Sequence, residues 1–252
     1  MKLIAVAMFR QPDGGVDASG AAPVALGMAA DLTGFGYFQR ASVREMISFL
    51  ARTIVQRTQA GSRQTVRQDD YYCHVVCHAG DGPNGGGGLA GVAVTDRDYP
   101  ATAAFCVVAK AIEELESPPG RAGGGAGYGG AAAAGAGTSA GTSAGGLPPP
   151  PPPAAPPGPP FDWRAAPGDC EGALPVLESC LARYQDPAAA DKLTKIQRDL
   201  DETKVILHQT IDSVLRRGEK LDALVDKSAD LSMASQMFYK QARRTNSCCK
   251  MM

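Results

Sequence analysis

The sequence has no long hydrophobic run and no excess of charge, and each of these shortages excludes a class of protein. No segment approaches the roughly 18 consecutive apolar residues that a transmembrane helix needs. The 25 Lys and Arg residues are balanced by 26 Asp and Glu residues, which excludes a nucleic-acid binder that works through bulk positive charge. The phosphate-binding P-loop pattern and the G-x-S-x-G pattern of serine hydrolases are also missing. An enzyme with a familiar catalytic motif is therefore not visible, and no cofactor is expected.

Glycine and proline are abundant, with 30 and 19 residues, and they concentrate in one part of the chain. Residues 117–160 contain one charged side chain, Arg121, and a run of six prolines at 148–153. Such a segment cannot bury enough apolar surface to offset its ordering entropy, so it predicts a disordered insert. The proline run predicts a polyproline II spacer, with docking on an SH3-like or profilin-like partner as the alternative.

Residues 1–116 carry the short apolar patterns of a mixed α/β unit. The apolar runs at 3–9 and 24–28 predict a hairpin-like pair of strands. We interpret the first run as a strand rather than a signal peptide, because it is short and a charged, turn-forming stretch closes it. The runs at 63–78 and 89–95 predict further strands joined by a glycine-rich loop.

Helical periodicity appears in three places around these strands. Ser42 followed by Glu45 predicts a capping box, after which apolar residues recur at helical spacing until about Gly61. A second helix is predicted over 101–116 and a third over 174–184. Helices packed on a small, largely antiparallel sheet form an α+β sandwich.

A cluster of metal-ligand types occurs at 73–78, which reads Cys-His-Val-Val-Cys-His. In a strand, Cys73 and Cys77 point to one face and His74 to the other, so we interpret the stretch as a plain strand rather than a zinc or haem site. No metal is expected. The seven cysteines are an odd number without framework spacing, which favours free thiols in a reducing cytosol.

The C-terminal quarter carries a repeat whose gaps alternate between three and four residues, the 3.5-residue period of a coiled-coil seam. A helix over these residues would be about 80 Å long. Because nothing else in the chain is long enough to cover it, the seam is expected to be completed by other chains. The seam positions are Leu193, Ile196, Leu200, Thr203, Leu207, Thr210, Val214, Arg217, Leu221, Leu224, Ser228, Leu231, Ser235, Phe238, Ala242 and Thr245.

Arg217 is the charged residue near the centre of this seam. A buried guanidinium is costly unless acceptors meet its N–H groups, and amide carbonyls from partner helices would fix the register in this way. The alternative is an arginine whose stem packs while its head reaches solvent. Outside the seam, further apolar residues widen the stripe, so a self-docking surface is a reasonable hypothesis; these residues are Val205, Ile206, Ile211, Leu215 and Val225.

The C-terminal end carries signals for membrane attachment. No acidic residue follows Asp230, whereas four basic residues do, which suits an anionic lipid leaflet. Cys249 and the three residues after it form a C-a-a-X box whose final Met favours farnesyl. One lipid anchors only marginally, so Cys248 is expected to carry a second, most simply palmitoyl. The alternative is a pair of unmodified cysteines.

Taken together, these residues resemble the prenylated longin-domain R-SNAREs over the chain apart from inserts near 11–23, 79–88 and 117–160. The matching features are Met1-Lys2-Leu3 and the stretches 37–43 (Tyr-Phe-Gln-Arg-Ala-Ser-Val), 98–100 (Asp-Tyr-Pro), 183–187 (Arg-Tyr-Gln-Asp-Pro), 200–204 (Leu-Asp-Glu-Thr-Lys), 217–221 (Arg-Gly-Glu-Lys-Leu) and 246–249 (Asn-Ser-Cys-Cys).

The resemblance implies an N-terminal longin domain, which is profilin-like, followed by a SNARE helix. It implies that Arg217 is the ionic-layer arginine facing three glutamines from Q-SNARE helices. It implies farnesyl on Cys249, and palmitoyl or a second prenyl group on Cys248. It also implies that the lipidated tail and SNARE helix fold back on a patch that includes Phe49. Arg216 departs from the family, which usually has an acidic residue there.

The implied function is membrane fusion in endoplasmic-reticulum-to-Golgi, intra-Golgi, endosomal or autophagosomal transport, with cycling between the cytoplasm and the cytosolic faces of those membranes. The SNARE disassembly machinery is an expected partner. The alternatives are a non-fusogenic regulator of SNARE partners and a longin-domain acyltransferase. The expected divisions are 1–116 (main longin part), 117–160 (insert), 161–185 (last longin segment), 189–249 (coiled coil) and 248–252 (lipidated tail).

Overall fold

The computed structural model describes most of residues 1–116 and parts of residues 163–249. For 206, 207 and 246–249 it describes the backbone alone. The described residues are 1–12, 21–80, 87–116, 163–166, 168–170, 174–187, 206–216 and 218–249.

Six strands of the described residues form one sheet in the order β2-β1-β5-β4-β3-β6. All neighbouring pairs are antiparallel except β3 and β6, which are parallel. The predicted N-terminal hairpin is confirmed as β1 and β2. The strands are β1 (Leu3–Arg10), β2 (Val24–Ala30), β3 (Arg63–Gln68), β4 (Tyr71–Cys77), β5 (Leu89–Asp96) and β6 (Ile206–Thr210).

Helices cover both faces of the sheet and create two hydrophobic cores. One core lies between the sheet and α1, and the other lies between the sheet and the pair α2 and α3. This layered arrangement confirms the predicted α+β sandwich, including the second and third helices. The helices of the described residues are α1 (Arg40–Gln56), α2 (Ala101–Glu116), α3 (Pro175–Arg183), α4 (Ile211–Val214), α5 (Leu221–Lys227) and α6 (Met233–Cys249), with a short 3-10 turn at Tyr37–Gln39.

Strand β4 shows how the alternating sequence builds both cores. Cys73 and Cys77 lie in the core beneath α1, whereas the His74 ring faces α2 and meets the edge of the Phe105 ring. The two ring nitrogens of His74 are hydrogen-bonded to the hydroxyl groups of Thr65 and Thr95, at 3.0 and 3.2 Å. The strand interpretation of this cysteine and histidine motif is therefore confirmed, and His74 has a structural set of partners.

Gly91, the third residue of β5, allows α2 to pack closely on the sheet. A Cβ atom at this position would lie 2.5 Å from Val108 Cγ1 and 3.0 Å from Met8 Sδ. Both distances are far below ordinary contact, so a larger residue would force α2 and the sheet apart.

Two local predictions are wrong. The predicted capping box does not start α1, because the helix begins at Arg40, directly after the 3-10 turn, and Ser42 lies inside it. The single strand predicted over 63–78 is two strands, since a tight turn with Asp69 at a φ of 52° separates β3 from β4. Asp tolerates positive φ better than most residues, and the two strands then pair with each other.

Within the described residues the docked C-terminal segment is not the continuous helix that the seam pattern predicts. Residues 206–210 are a strand, and α4, α5 and α6 are separate helices joined by turns. The expectation that nothing else in the chain could cover the seam fails for the same reason. A bent segment can follow the surface of its own N-terminal domain, where a straight 80 Å helix would extend beyond it.

Candidate functional site

The C-terminal segment, defined here as residues 206–249, docks on a surface that we call the docking face, formed by α1 and the edge of β3. Strand β6 adds to β3 in parallel register, from Arg63 opposite Ile206 to Arg67 opposite Thr210. Without this addition the backbone N–H and C=O groups along the outer edge of β3 would lack strand partners. The first residues of the docked segment therefore extend the sheet as an added strand. The helical seam pattern did not indicate this strand.

Apolar side chains of the C-terminal segment enter the core beneath α1. Five of them are buried there together with α1 residues such as Ile54 and Val55. Burial of one such side chain contributes about 1.5–3 kcal/mol relative to full exposure, so these five make a large part of the docking free energy. They are Ile211, Leu215, Leu221, Val225 and Leu231.

Three of these five lie outside the strict coiled-coil seam. Ile211, Leu215 and Val225 belong to the extra apolar surface that led us to expect a self-docking surface. In the described structure all three side chains are buried in the core beneath α1. The same stretch of chain therefore carries two overlapping apolar faces, and the docked conformation uses parts of both.

The predicted seam residues are distributed as follows. Leu221 and Leu231 are buried, and Val214, Leu224 and Phe238 are partly buried against the same core. Phe49 of α1 is partly buried in that core as well. The backbone of Leu207 lies in β6, and its side chain is not described. Seven further predicted positions lie outside the described residues or side chains, namely Leu193, Ile196, Leu200, Thr203, Arg217, Cys248 and Cys249.

Charged residues of α1 pair with the segment in reverse chain order. Glu45 accepts hydrogen bonds from the Ser232 backbone N–H at 3.0 Å and from the Ser235 hydroxyl at 2.7 Å. Further along α1, Arg52 binds Asp230 at 3.2 Å. The order of these contacts means that this part of the segment runs antiparallel to α1. The local sequence pattern predicts that Glu45 caps its own helix and gives no sign of these pairings.

Glu45 acts at the start of another helix, α6. The Ser232 hydroxyl accepts a hydrogen bond from the Ser235 backbone N–H at 3.2 Å, which is the usual N-cap contact. The adjacent carboxylate is favourable because helix N-termini carry partial positive charge. Burial by itself raises the pKa of Glu45, but the hydrogen bonds from Ser232 and Ser235 outweigh burial and the pKa is lowered.

Helices α5 and α6 are also joined to each other. Asp222 accepts a hydrogen bond from the Tyr239 hydroxyl at 2.9 Å and pairs with Arg243. Asp226 pairs with Lys240 at 2.8 Å. Burial raises the pKa of Tyr239 to about 12, with nearby aspartates adding to the effect. The tyrosine therefore stays a neutral donor at physiological pH, and the two helices dock as one hairpin.

Two cavities flank the docked segment. One of about 540 Å³ lies between α1 and the β1–β2 pair, with Phe9, Met28 and Phe49 in its lining. The other, of about 530 Å³, lies beside α6 and includes Leu221 and Tyr239. Both are within the size range of small-ligand sites.

Two buried thiols of the N-terminal domain do not have the environment of a nucleophile. Burial raises the pKa of Cys73 and of Cys77 to about 12. Since the thiolate is the reactive species, these cysteines are neutral, packed side chains. No cluster of the described His, Cys, Asp and Glu residues could hold a metal ion.

None of the helices built from described residues combines the length and the apolar character required to cross a bilayer. A family model called Longin, described as a regulated-SNARE-like domain, matches residues 32–117. A second, called Synaptobrevin, matches residues 192–252.

Similar proteins cover nearly the whole chain. It is 42% identical over 227 residues to the VAMP-like protein YKT61 of Arabidopsis thaliana, with 90% of each chain covered. It is 36% identical over 253 residues to the synaptobrevin homolog YKT6 of Eremothecium gossypii, with 100% of each chain covered. It is 33% identical over 254 residues to the synaptobrevin homolog YKT6 of Saccharomyces cerevisiae, again with 100% of each covered.

Proposed function

The chain belongs to the longin-domain R-SNARE family and acts in vesicle trafficking, and from this premise we propose that it is a self-inhibited, lipid-anchored SNARE. In the closed state the C-terminal segment lies on the docking face. In the open state the segment leaves it and assembles with three Q-SNARE helices to drive membrane fusion. The transport step is between the endoplasmic reticulum and Golgi, within the Golgi, or at endosomes or autophagosomes.

The observation that carries this proposal is the burial of seam residues by the protein's own domain. Leu221 and Leu231 are predicted contact positions of the four-helix complex, and both are buried in the core beneath α1. A side chain cannot occupy both places at once. Assembly with partner helices therefore requires undocking, and the docking free energy opposes assembly directly.

The proposed assembly step follows from the sequence register. Undocked, residues 193–245 form one continuous helix whose seam packs against three partner helices. Arg217 donates to glutamine carbonyls of those helices and fixes their register. Apolar burial along the seam, at about 25 cal/mol per Å2, supplies the work that draws two membranes together.

Membrane attachment in this proposal is covalent and reversible. Cys249 carries farnesyl and Cys248 carries palmitoyl or a second prenyl group. The basic residues after Asp230 add attraction to an anionic leaflet, at roughly 1 kcal/mol each near the surface. The protein then cycles between the cytoplasm and the cytosolic faces of Golgi, endoplasmic reticulum, endosomal and vesicle membranes, and the SNARE disassembly machinery returns it to the closed state.

The docking step is tested by Phe49→Glu in the full chain. A carboxylate in the partly buried core position of Phe49 destabilises the closed state, because a buried charge without a partner is costly. We expect faster amide hydrogen exchange in α5 and α6 and faster assembly with Q-SNARE helices. Phe38→Glu is the matched control, since Phe38 is 94% exposed. Equal exchange in the Phe49→Glu variant and the unmodified protein would contradict the fold-back.

Fusion itself is tested with the open variant on liposomes. If lipidated Phe49→Glu protein, paired with its Q-SNAREs, mixes liposome contents, the fusion proposal is supported. If it assembles but no contents mix, the protein is a non-fusogenic regulator of its partners. An acyltransferase working through Cys73 is disfavoured by the raised pKa of that thiol.

The lipid anchor is tested by the intact mass of protein purified from its own cells, with membrane and soluble fractions kept apart. We expect a farnesyl-sized increment in both fractions and a second lipid enriched on membranes. Cys249→Ser should remove both increments, whereas Cys248→Ser should remove the second alone. Unmodified cysteines in both fractions would contradict the anchor and leave a soluble coiled-coil regulator.

A further inference from the structure

The described residues that follow the insert contact both sides of the sheet near its β2 edge. We call its described residues, 163–166 and 168–170, the strap. At one end Trp163 is buried in the core beneath α2 and α3. At the other end the Cys170 N–H donates to the Ala25 carbonyl at 2.7 Å, and the Ala25 N–H donates to Asp169 Oδ1 at 2.8 Å. The strap therefore reaches the α1 side of the sheet with Asp169 held by backbone hydrogen bonding.

Asp169 and the C-terminal segment share one cation, Arg52 of α1. Arg52 Nη2 lies 2.5 Å from Asp169 Oδ2, and Arg52 Nη1 lies 3.2 Å from Asp230 Oδ2. The arginine side chain is only 17% exposed, whereas the two aspartates are 46% and 59% exposed. One guanidinium thus connects the strap to the docked segment.

The two halves of this bridge are not equivalent. Asp169 is fixed at its other oxygen by Ala25, while Asp230 belongs to the segment that leaves in the proposed open state. A guanidinium is planar and presents its donors in a rigid fork. When Asp169 holds one nitrogen, the other nitrogen already points to the place that Asp230 occupies on docking. This lowers the side-chain entropy that Arg52 loses when it binds Asp230.

We propose that Asp169 is a positioning residue for the closed state, acting through Arg52 to hold Asp230 and hence the start of α6 on the docking face. The inference rests on the proposed self-inhibition and adds a determinant that lies outside both the docking face and the C-terminal segment. The strap thus helps to hold the C-terminal segment on the docking face.

The test uses Asp169→Asn in the full chain. The asparagine Oδ1 still accepts from the Ala25 N–H, so the strap keeps its anchor while Arg52 loses the charge that orients it. We expect a twofold to fivefold rise in the open population, the range of a partly exposed ion pair. Hydrogen exchange in α6 measures this, and exchange in β2 and α3 should stay unchanged. Asp98→Asn, an exposed aspartate on the turn before α2, is the matched control.

A double-mutant cycle separates positioning from an independent contribution. If Asp169 acts through the Arg52–Asp230 contact, Asp169→Asn combined with Asp230→Asn is no more open than Asp230→Asn alone. Additive effects, or no effect of Asp169→Asn, overturn the proposal. Asp169→Glu should have a larger closed population than Asp169→Asn, because glutamate keeps the negative charge. If Asp169→Glu is as open as Asp169→Asn, the proposal is also overturned. If the Asp169 variants do not change the open population but Phe49→Glu still raises it, the role of Asp169 is rejected. The proposed self-inhibition is then unaffected.

Discussion

The guanidinium of Arg57, just past the end of α1, donates to the Glu219 carboxylate at 2.7 Å and fixes the turn between α4 and α5. The same carboxylate accepts from the Arg216 backbone N–H at 3.1 Å. The hydrogen bond from Arg57 is the main reason that the pKa of Glu219 is lowered. Within this turn Gly218 has a φ of 90°, a conformation that a continuous helix cannot contain.

Gly218 therefore favours the turn of the closed state over the continuous helix of the proposed assembled state. Gly218→Ala should shift this balance towards assembly. Alanine at positive φ costs the closed state about 1 kcal/mol or more, and alanine in a helix interior gains about 1 kcal/mol over glycine. The sum, about 2 kcal/mol, is roughly a 30-fold increase in the equilibrium constant for assembly from the closed state. Titration with Q-SNARE helices measures it.

Ala223→Gly is the control for this prediction. Ala223 is exposed and lies in α5, which is helical in the closed state and in the proposed complex. The glycine weakens both states alike, so the assembly constant should hardly change. A Gly218→Ala protein that assembles no better than the unmodified chain would show that the turn does not limit opening.

Glu45→Gln should loosen the closed state and reduce its pH dependence. The amide keeps one acceptor for the Ser232 N–H but loses the charge at the start of α6, at a cost of about 1 kcal/mol, or fivefold in the open population. Because the pKa of Glu45 is lowered in the closed state, its contribution is complete above the ordinary carboxyl pKa and is lost as pH falls below it. Hydrogen exchange of α6 at pH 7 and pH 4 tests this.

Glu113→Gln is the matched control for Glu45→Gln, because Glu113 pairs with Lys110 on the exposed side of α2. It should leave the exchange of α6 unchanged at both pH values. If the two variants behave alike, the contact between Glu45 and the start of α6 does not stabilise docking.

Arg217→Ala should weaken the assembled complex, whereas Arg216→Ala should not. In the proposed four-helix complex, loss of the guanidinium leaves buried glutamine carbonyls without a donor, at a cost of about 1–3 kcal/mol. Arg216 is exposed in the closed state and is outside the seam register. The unfolding temperature of complexes isolated from cells tests the pair. Equal losses in both variants would mean that the seam register is misassigned.

His74→Gln should make the folding of the N-terminal domain less sensitive to acid. Burial, and to a lesser degree the nearby His208, lowers the pKa of His74 to about 4. In the unfolded chain the imidazole of His74 binds a proton near pH 6.5, whereas in the folded chain it binds one only near pH 4. The free energy of unfolding therefore falls as pH decreases from about 6.5 to about 4. Between pH 7 and pH 5 the unmodified protein should lose about 2 kcal/mol more than the variant in urea unfolding. Parallel losses would contradict a buried neutral imidazole.

The secondary structure of the N-terminal region was largely predictable, because its elements have strong local patterns. Helix α2 was predicted with its observed bounds, and β4 was assigned from the alternation of cysteine and histidine. The start of α1 was missed because Ser42 and Glu45 have cap spacing, whereas Glu45 is used by a helix distant in sequence. A capping motif shows only that nearby residues have the right spacing for a cap. It does not show that the same carboxylate can bind residues far away in the sequence.

The sequence by itself determined that residues 193–245 can form a coiled-coil seam and that extra apolar residues widen its stripe. Both follow from spacing, which is a local property of the chain. Only the tertiary structure decided that residues 206–210 become a strand on the edge of β3 and that Arg52 joins Asp169 to Asp230. These contacts join residues far apart in the chain, and their free energy depends on which groups the folded domain leaves at its edge and on its surface. Periodicity contains no information about that.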